Sequence, residues 1–156
     1  MEFFKWLSIT DRYTKMYLDR QFASLGINSS QHMYIIKICT QPGITQDQFI
    51  SFFYIHPSNV TRSITYLEKT GFIRKEPHCK DKRTYCLYPT QKAIEANKQI
   101  LNIIKNWQEI LLEDFSSEEQ EYFLSFLNKV GQKAIVHSTH EIEIENNSPL
   151  KGNHYA

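Results

Sequence analysis

Apolar side chains recur at helical spacing in two outer parts of the chain, and shorter apolar groups lie between them. Residues 3–24 place aromatic and aliphatic side chains three or four positions apart, which predicts a first helix. The same period continues over residues 90–113 and again from 116 to about 136. Helices of eight to thirteen residues are predicted between them, at 30–40, 46–53 and 57–69. The chain should therefore be mainly helical (α+β), with its short elements in the middle.

Local signals mark where the central elements begin and end. Thr45 followed three residues later by Gln48 predicts a capping box at the start of the third helix. Pro57 suits the first turn of the fourth helix, and Gly71 suits its C-terminal end. Two short strands follow, at 72–76 and 84–88, and residues 77–83 form a polar loop between them. The predicted order of elements is that of a winged helix-turn-helix.

The fourth helix and the following loop carry side chains suited to DNA. Val60, Ile64 and Leu67 form the inward face of this helix. The other sides carry polar or cationic groups that can bind base edges or phosphates, namely Ser58, Asn59, Thr61, Arg62 and Thr65. The loop adds three cations that could reach an adjacent groove: Lys80, Lys82 and Arg83. Asp81 is expected to pair with Arg74 or Lys75 and so hold the loop.

Each of these interpretations has a simpler alternative. Arg62 could be a solvated surface residue or a partner of Glu68. Ser58 and Asn59 could only satisfy amides of the first helical turn. The basic run from Lys80 to Arg83 could be a solvated turn.

The distribution of charge favours a nucleic-acid surface more than the overall charge does. The chain has 156 residues and a formal net charge of only +1. Residues 56–92, however, contain eight Lys or Arg against three Asp or Glu, a net of +5. Residues 113–147 contain eight acids against two lysines, a net of −6. A basic centre beside an acidic end is typical of an electrostatic footprint for a polyanion.

The outer helices have apolar stripes but no evident partner within so small a domain. We expect a second copy of the chain to cover them. The predicted dimer contacts are Phe3, Trp6, Ile100, Ile104, Trp107, Leu111 and Phe126. The predicted organisation is one domain at 1–137, with a DNA-binding lobe at about 30–90 and dimerisation helices at about 3–24 and 90–136. Residues 138–156 are predicted to be a polar, poorly ordered tail.

Taken in order, several short motifs resemble the MarR family of transcription regulators over roughly residues 5–135. They are Ser58 to Arg62, Leu67-Glu68-Lys69 with Gly71-Phe72-Ile73, the run Asp81-Lys82-Arg83, and Thr90 at the start of the next helix. The resemblance implies a cytoplasmic homodimer, a palindromic operator on double-stranded DNA, usually repression, and release by a small effector or by oxidation. The chain departs from the family pattern at Lys75, Cys79, Pro89 and Ala93.

Alternatives to this function come from the cysteines and the aromatic residues. The resemblance implies that a peroxide-sensing member would carry its reactive cysteine near the start of the first helix, where this chain has none. Because Cys39 lies in an apolar helix, Cys79 is the best candidate for a thiol-based redox sensor. The aromatic group at residues 49, 52, 53 and 54 is either core or the wall of a pocket for a small apolar or aromatic effector. A winged-helix adaptor that binds protein and not DNA is the other alternative.

The sequence offers little for catalysis, metal binding or membrane insertion. The spacing of His56, His78, Cys79 and Cys86 lacks the second ligand pair that structural zinc sites use, so no metal or other cofactor is predicted. None of the common catalytic motifs occurs, which predicts a protein that is not an enzyme. No apolar run approaches the length of a membrane span, and the odd number of cysteines favours a reducing cytoplasm.

Overall fold

A computed structural model describes residues 1–78 and 83–147, the last nine of these as helical backbone only. Within it the chain forms two compact units, one from Met1 to Leu111 and one that begins at Leu112. The division does not coincide with the predicted domain end at residue 137. The predicted contacts Lys80, Asp81 and Lys82, together with Cys79, lie outside the described residues.

The first unit contains five helices and three short strands. Helix α1 spans Glu2–Phe22 and is followed by a 3-10 turn at Ala23–Leu25. The helices α2 (His32–Thr40), α3 (Gln46–Phe53) and α4 (Pro57–Lys69) come next, and α5 (Gln91–Leu111) closes the unit. The strands are β1 (Ile44–Thr45), β2 (Ile73–Pro77) and β3 (Tyr85–Pro89). Helices and strands thus follow one another in the predicted winged-helix order.

The three strands form one antiparallel sheet in the order β1-β3-β2. In the register of β2 and β3, Ile73 lies opposite Pro89 and Lys75 opposite Leu87. Both strands begin one residue later than predicted. β1, which pairs Ile44 with Leu87, was not predicted, because two residues are too few to show an alternating pattern.

The end of α4 explains the shift in β2. The Phe72 amide donates to the Leu67 carbonyl at 2.9 Å, and the Gly71 amide donates to the Glu68 carbonyl at 3.0 Å. These two bonds form a Schellman motif, and Gly71 has the positive φ (78°) that the motif requires. Phe72 is therefore part of the helix cap, and the strand starts after it.

One apolar core lies between the helices and the sheet. The three residues predicted to face inward from α4 are buried in it, as are Tyr34, Ile35 and Ile38 of α2. The core also contains Phe22, Phe49, Phe72 and Leu87. The N-terminal half of α1 does not take part, because Phe3, Trp6, Leu7 and Tyr13 are all exposed. The first helix thus contributes to the core only near its C-terminal end, through Leu18 and Phe22.

The second unit consists mainly of helix α6, Ser117–Asn147. A capping box starts it: the Ser116 amide donates to Glu119 Oε2 at 2.8 Å, and the Glu119 amide donates to Ser116 Oγ at 3.3 Å. Helix α6 extends as far as Asn147, into the segment from residue 138 that was predicted to be a poorly ordered tail. No glycine or proline occurs between residues 132 and 148 to break the helix, and Pro149 follows soon after its end.

None of the helices in the described part of the chain combines the length and the apolar character that crossing a bilayer requires.

Candidate nucleic-acid interface

Helix α4 separates a buried face from a polar one. Val60, Ser63, Ile64 and Leu67 are buried. The five residues predicted to contact DNA from this helix are all exposed, namely Ser58, Asn59, Thr61, Arg62 and Thr65. The major groove of DNA is wide enough to admit an α-helix, and an exposed polar face of this kind could contact the base edges there.

Polar contacts to α2 and to the end of α1 fix the orientation of α4. The Tyr66 hydroxyl donates to the Gly26 carbonyl at 2.7 Å. Ser63 is hydrogen-bonded to Tyr34 of α2, and burial raises the pKa of that tyrosine, although the bond to Ser63 opposes the rise. Ser63 lies on the buried side of α4 and Tyr66 on an exposed side, and neither contact uses the residues of the polar face.

The C-terminal end of α4 is held by the start of α5. The Thr90 hydroxyl is 2.7 Å from the Gly71 carbonyl, and the Lys92 ammonium donates to the Thr70 carbonyl at 2.8 Å. The same ammonium lies 4.2 Å from the centre of the Phe72 ring. A cation at this position also complements the negative end of the helix dipole. These contacts connect the start of α5 to the end of α4.

The first turn of α4 is capped by His56, a role that the sequence did not indicate. His56 is the N-cap residue, and its Nδ1 accepts from the Ser58 amide at 3.2 Å. The same nitrogen lies 2.8 Å from Ser58 Oγ. Ser58 thus has a capping partner as well as an exposed side chain. Histidine is not among the usual capping residues, which is why the sequence did not indicate this contact.

The ion pair between Arg62 and Glu68, one of the simpler alternatives for Arg62, does not form. Glu68 pairs instead with Lys75 of β2, at 2.8 Å between Nζ and Oε2. Within residues 1–78 and 83–138, whose side chains are described, Arg62 forms no salt bridge, and its side chain is exposed on the polar face. Its guanidinium is thus placed where a guanine edge or a phosphate could accept from it.

The loop between β2 and β3 was expected to be held by two cations, Arg74 and Lys75. Each of them pairs with a glutamate. Arg74 pairs with Glu76 of the same strand and lies over the Tyr88 ring, 4.9 Å from its centre. Lys75 links β2 to α4 through Glu68. Arg74 and Lys75 therefore have carboxylate partners at the base of the loop, whereas their predicted pairing with Asp81 involves a residue outside those described. The sequence did not indicate the pair between Lys75 and Glu68, because the nearness of β2 to α4 depends on the fold.

Arg83 lies at a polar cleft between α3 and the two long strands. The cleft has a volume of about 200 Å³ and is lined by Gln46, Asp47, Lys75, Arg83, Thr84, Tyr85 and Leu87. Arg83 also takes part in an interaction within the chain. Gln46 and Asp47 were not identified from the sequence, because their nearness to the strands depends on the fold.

The predicted dimer contacts of the first unit divide into two groups. Ile100 is fully buried in the unit's own core, and Ile104 packs against that core. Trp107 stacks on Tyr17 of α1, with 4.0 Å between ring centres, and its Nε1 donates to Thr14 at 3.2 Å. Trp107 thus joins α5 to α1 of the same chain, and Ile100 and Ile104 belong to the packing of its own core. Phe3, Trp6 and Leu111 are exposed and remain predicted contacts with a second copy.

In the second unit, Phe126 also remains a predicted dimer contact. It is 60% exposed. None of the residues 117–138 of α6 is buried, and Tyr122, Phe123, Leu127 and Val130 are exposed with Phe126. The helix therefore presents an apolar surface along its described length.

Cys39 and the aromatic residues of α3 have mainly structural surroundings. Cys39 packs against the core, and burial raises the pKa of its thiol, which disfavours the reactive thiolate. Phe49 is fully buried and its ring is 5.8 Å from that of Phe53, so these two residues are core. Phe52 is exposed beneath the Lys37 ammonium, which lies 3.6 Å from the ring centre.

Comparison with known proteins agrees with this architecture. Residues 27–85 match the family model described as the MarR family, so the predicted resemblance is confirmed. The HTH-type transcriptional regulator YybA of Bacillus subtilis is 29% identical over 110 residues, which cover 70% of this chain and 73% of that protein. A crystal structure of MarR is 27% identical, with a TM-score of 0.73, over 86% of this chain and 98% of that one.

A further solved structure shows the same fold. A MarR family transcriptional regulator from Listeria monocytogenes, complexed with 26-mer DNA, superposes with a TM-score of 0.82. It covers 96% of this chain and 97% of its own, at 21% identity. The predicted winged helix-turn-helix with N- and C-terminal helices is thus confirmed.

Proposed function

We propose that this chain, a MarR-family transcription regulator with a DNA-binding fold, is a repressor that binds a palindromic operator as a homodimer. The observation that carries the proposal is the polar face of α4. Arg62 and its neighbours are exposed there, on a helix whose other side is fixed to the core. Phosphate contacts would position this helix, and side chains that reach base edges would supply sequence preference.

The loop between β2 and β3 is the second proposed contact. Arg83 lies beside the cleft next to α3, and the basic residues Lys80 and Lys82 precede it in the sequence. Cations in a narrow minor groove meet the most negative potential of the duplex. The Listeria monocytogenes regulator was solved in complex with a 26-mer DNA. This complex supports DNA as the ligand of the present chain.

A homodimer would place two copies of α4 in successive major grooves. For a helix-turn-helix dimer the two half-sites are about one helical turn apart, roughly 34–36 Å. The exposed aromatic residues Phe3, Trp6 and Phe126 support a second copy as the partner of the outer helices. Light scattering at micromolar concentration should give twice the mass of the chain, and a well-folded monomer would contradict this part of the proposal.

Release of the DNA is proposed to depend on a small, mostly apolar or aromatic effector. A ligand that prefers a dimer with another spacing of the two α4 helices would weaken binding by shifting the population. The contacts of Thr90 and Lys92 with the end of α4 provide a mechanical link, because α5 cannot move without displacing them.

A mobility shift on random double-stranded DNA at low and high salt tests the proposal. We expect binding at low salt that weakens steeply as salt increases, because lysine and arginine contacts release counterions. If the protein is folded and shifts no DNA even at low salt, the alternative of a protein-binding adaptor replaces this proposal.

A further inference from the structure

Gln46 connects the start of α3 to the polar face of α4. Its Nε2 donates to Thr61 Oγ1 at 2.7 Å, across fifteen residues of sequence. The same Thr61 hydroxyl donates to the Pro57 carbonyl one turn earlier in α4, at 3.1 Å. The side chain of Thr61 is nevertheless exposed.

These two bonds determine what Thr61 can offer to a ligand. A threonine hydroxyl has one hydrogen to donate and two lone pairs to accept with. The hydrogen goes to Pro57 and one lone pair is taken by Gln46. The groups that remain are the γ-methyl and one lone pair. Because phosphate oxygens only accept hydrogen bonds, Thr61 in this arrangement cannot donate its hydroxyl hydrogen to the backbone of DNA.

We propose that Gln46 is a positioning residue which fixes the Thr61 hydroxyl, so that Thr61 presents its methyl group to DNA and selects thymine at one base pair of each half-site. The C5-methyl of thymine is the one apolar group in the base-edge pattern of the major groove, and a threonine methyl is among its usual partners. The inference rests on the proposed function, since it assigns a base preference within that interface.

The location of Gln46 fits this role. It begins α3 and lines the cleft that also contains Arg83, Thr84 and Tyr85. It therefore lies between α4 and the strands that carry the basic loop. Its backbone position is fixed by the capping box of Thr45 and Gln48 immediately beside it, where the Thr45 amide donates to Gln48 Oε1 at 2.9 Å.

Two substitutions of Thr61 separate its methyl group from its hydroxyl. Thr61→Ser keeps the hydroxyl and removes the methyl, whereas Thr61→Val keeps the shape and removes the hydroxyl. Base preference is read by binding each protein to a pool of duplexes varied at single positions. We expect Thr61→Ser to lose about fourfold in preference for thymine at one base pair per half-site, the contribution of burying one methyl-sized group. Thr61→Val should stay within about twofold of the wild type there.

The role of Gln46 is tested by combining substitutions. Gln46→Ala should lower the preference at the same base pair in the wild-type background, because one of the two bonds that hold the Thr61 side chain in its rotamer is then lost. In the Thr61→Val background it should change that preference by less than about twofold. Gln91→Ala is the matched control, since Gln91 is an exposed glutamine at the start of α5 that bonds only Glu95 among the described contacts. It should leave the profile unchanged.

Two results would overturn the inference. Equal loss of preference in Thr61→Val and Thr61→Ser would mean that the hydroxyl makes the contact. Equal effects of Gln46→Ala in both backgrounds would mean that Gln46 reads DNA by itself. Failure of the proposed function is distinct from both, because then the wild-type protein would select no sequence at all.

Discussion

Replacement of Arg62 by alanine should weaken binding to the preferred operator and relax the choice of base at one position. Arg62 is exposed. Glu68, the acid with which it could have paired, is paired with Lys75 instead. The substitution therefore leaves no carboxylate without a partner, and the free energy of unfolding should change by no more than about 0.5 kcal/mol. Loss of affinity can then be attributed to the contact with DNA.

The expected magnitude follows from the kind of contact. A bidentate arginine to guanine contributes about 1–3 kcal/mol of discrimination against other bases. At about 1.4 kcal/mol for each factor of ten, this is a five- to 150-fold increase in Kd on the preferred site. Fluorescence anisotropy titrations at one fixed salt concentration would measure it, on the preferred duplex and on duplexes substituted at each position.

Lys69→Ala provides a control on the same helix. Lys69 is exposed, carries the same charge and lies seven residues further on, about 10 Å along the axis. Its loss should leave base preference unchanged. Lys82→Ala, outside the described residues, should weaken all sequences alike and lower the salt slope by about one unit per half-site. An Arg62→Ala protein that binds the operator as well as the wild type, or loses equally on every sequence, would refute the assignment of Arg62 as a base reader.

Three further predictions concern stability and sensing. Thr45→Ala removes the capping box of α3 and should destabilise the chain by about 0.5–2 kcal/mol in urea unfolding; an unchanged midpoint would contradict this. Burial lowers the pKa of His32 from 6.5, so the unfolded chain binds a proton more readily, and stability should fall as the pH drops below 6.5. His32→Gln should reduce that fall in a pH series. Operator binding should be insensitive to hydroperoxide in the wild type and with Cys39, Cys79 and Cys86 replaced by serine, singly or together; release that Cys79→Ser abolishes would make Cys79 the sensor.

The sequence predicted those elements whose signals are local. Helix α3 was predicted with the observed bounds, because Thr45 and Gln48 form a capping box that marks its first residue. The end of α4 was identified from Gly71, since the Schellman motif needs a residue that tolerates positive φ. Features that depend on pairing between distant segments were missed or shifted. The two-residue strand β1 has no pattern of its own, and only its pairing with β3 defines it.

The same distinction applies to the candidate site. Helical periodicity was sufficient to place Arg62 and its neighbours on the exposed face of α4. It could not show that Thr61 bonds Gln46, a contact between residues fifteen positions apart. Apolar periodicity likewise could not separate a stripe that packs within the chain from one that is available to a partner. Ile100 is buried in the core and Trp107 joins α5 to α1, whereas Phe3 and Trp6 are exposed.

Selection of bound sequences from a random pool of duplexes tests the central claim most directly, because it requires no knowledge of the operator. If two copies of α4 read DNA as proposed, the selected sequences should converge on a palindrome whose half-sites lie about 10–10.5 base pairs apart, centre to centre. Repetition with Arg62→Ala should degrade one position in each half-site. Recovery of unselected sequences by folded wild-type protein would contradict the account.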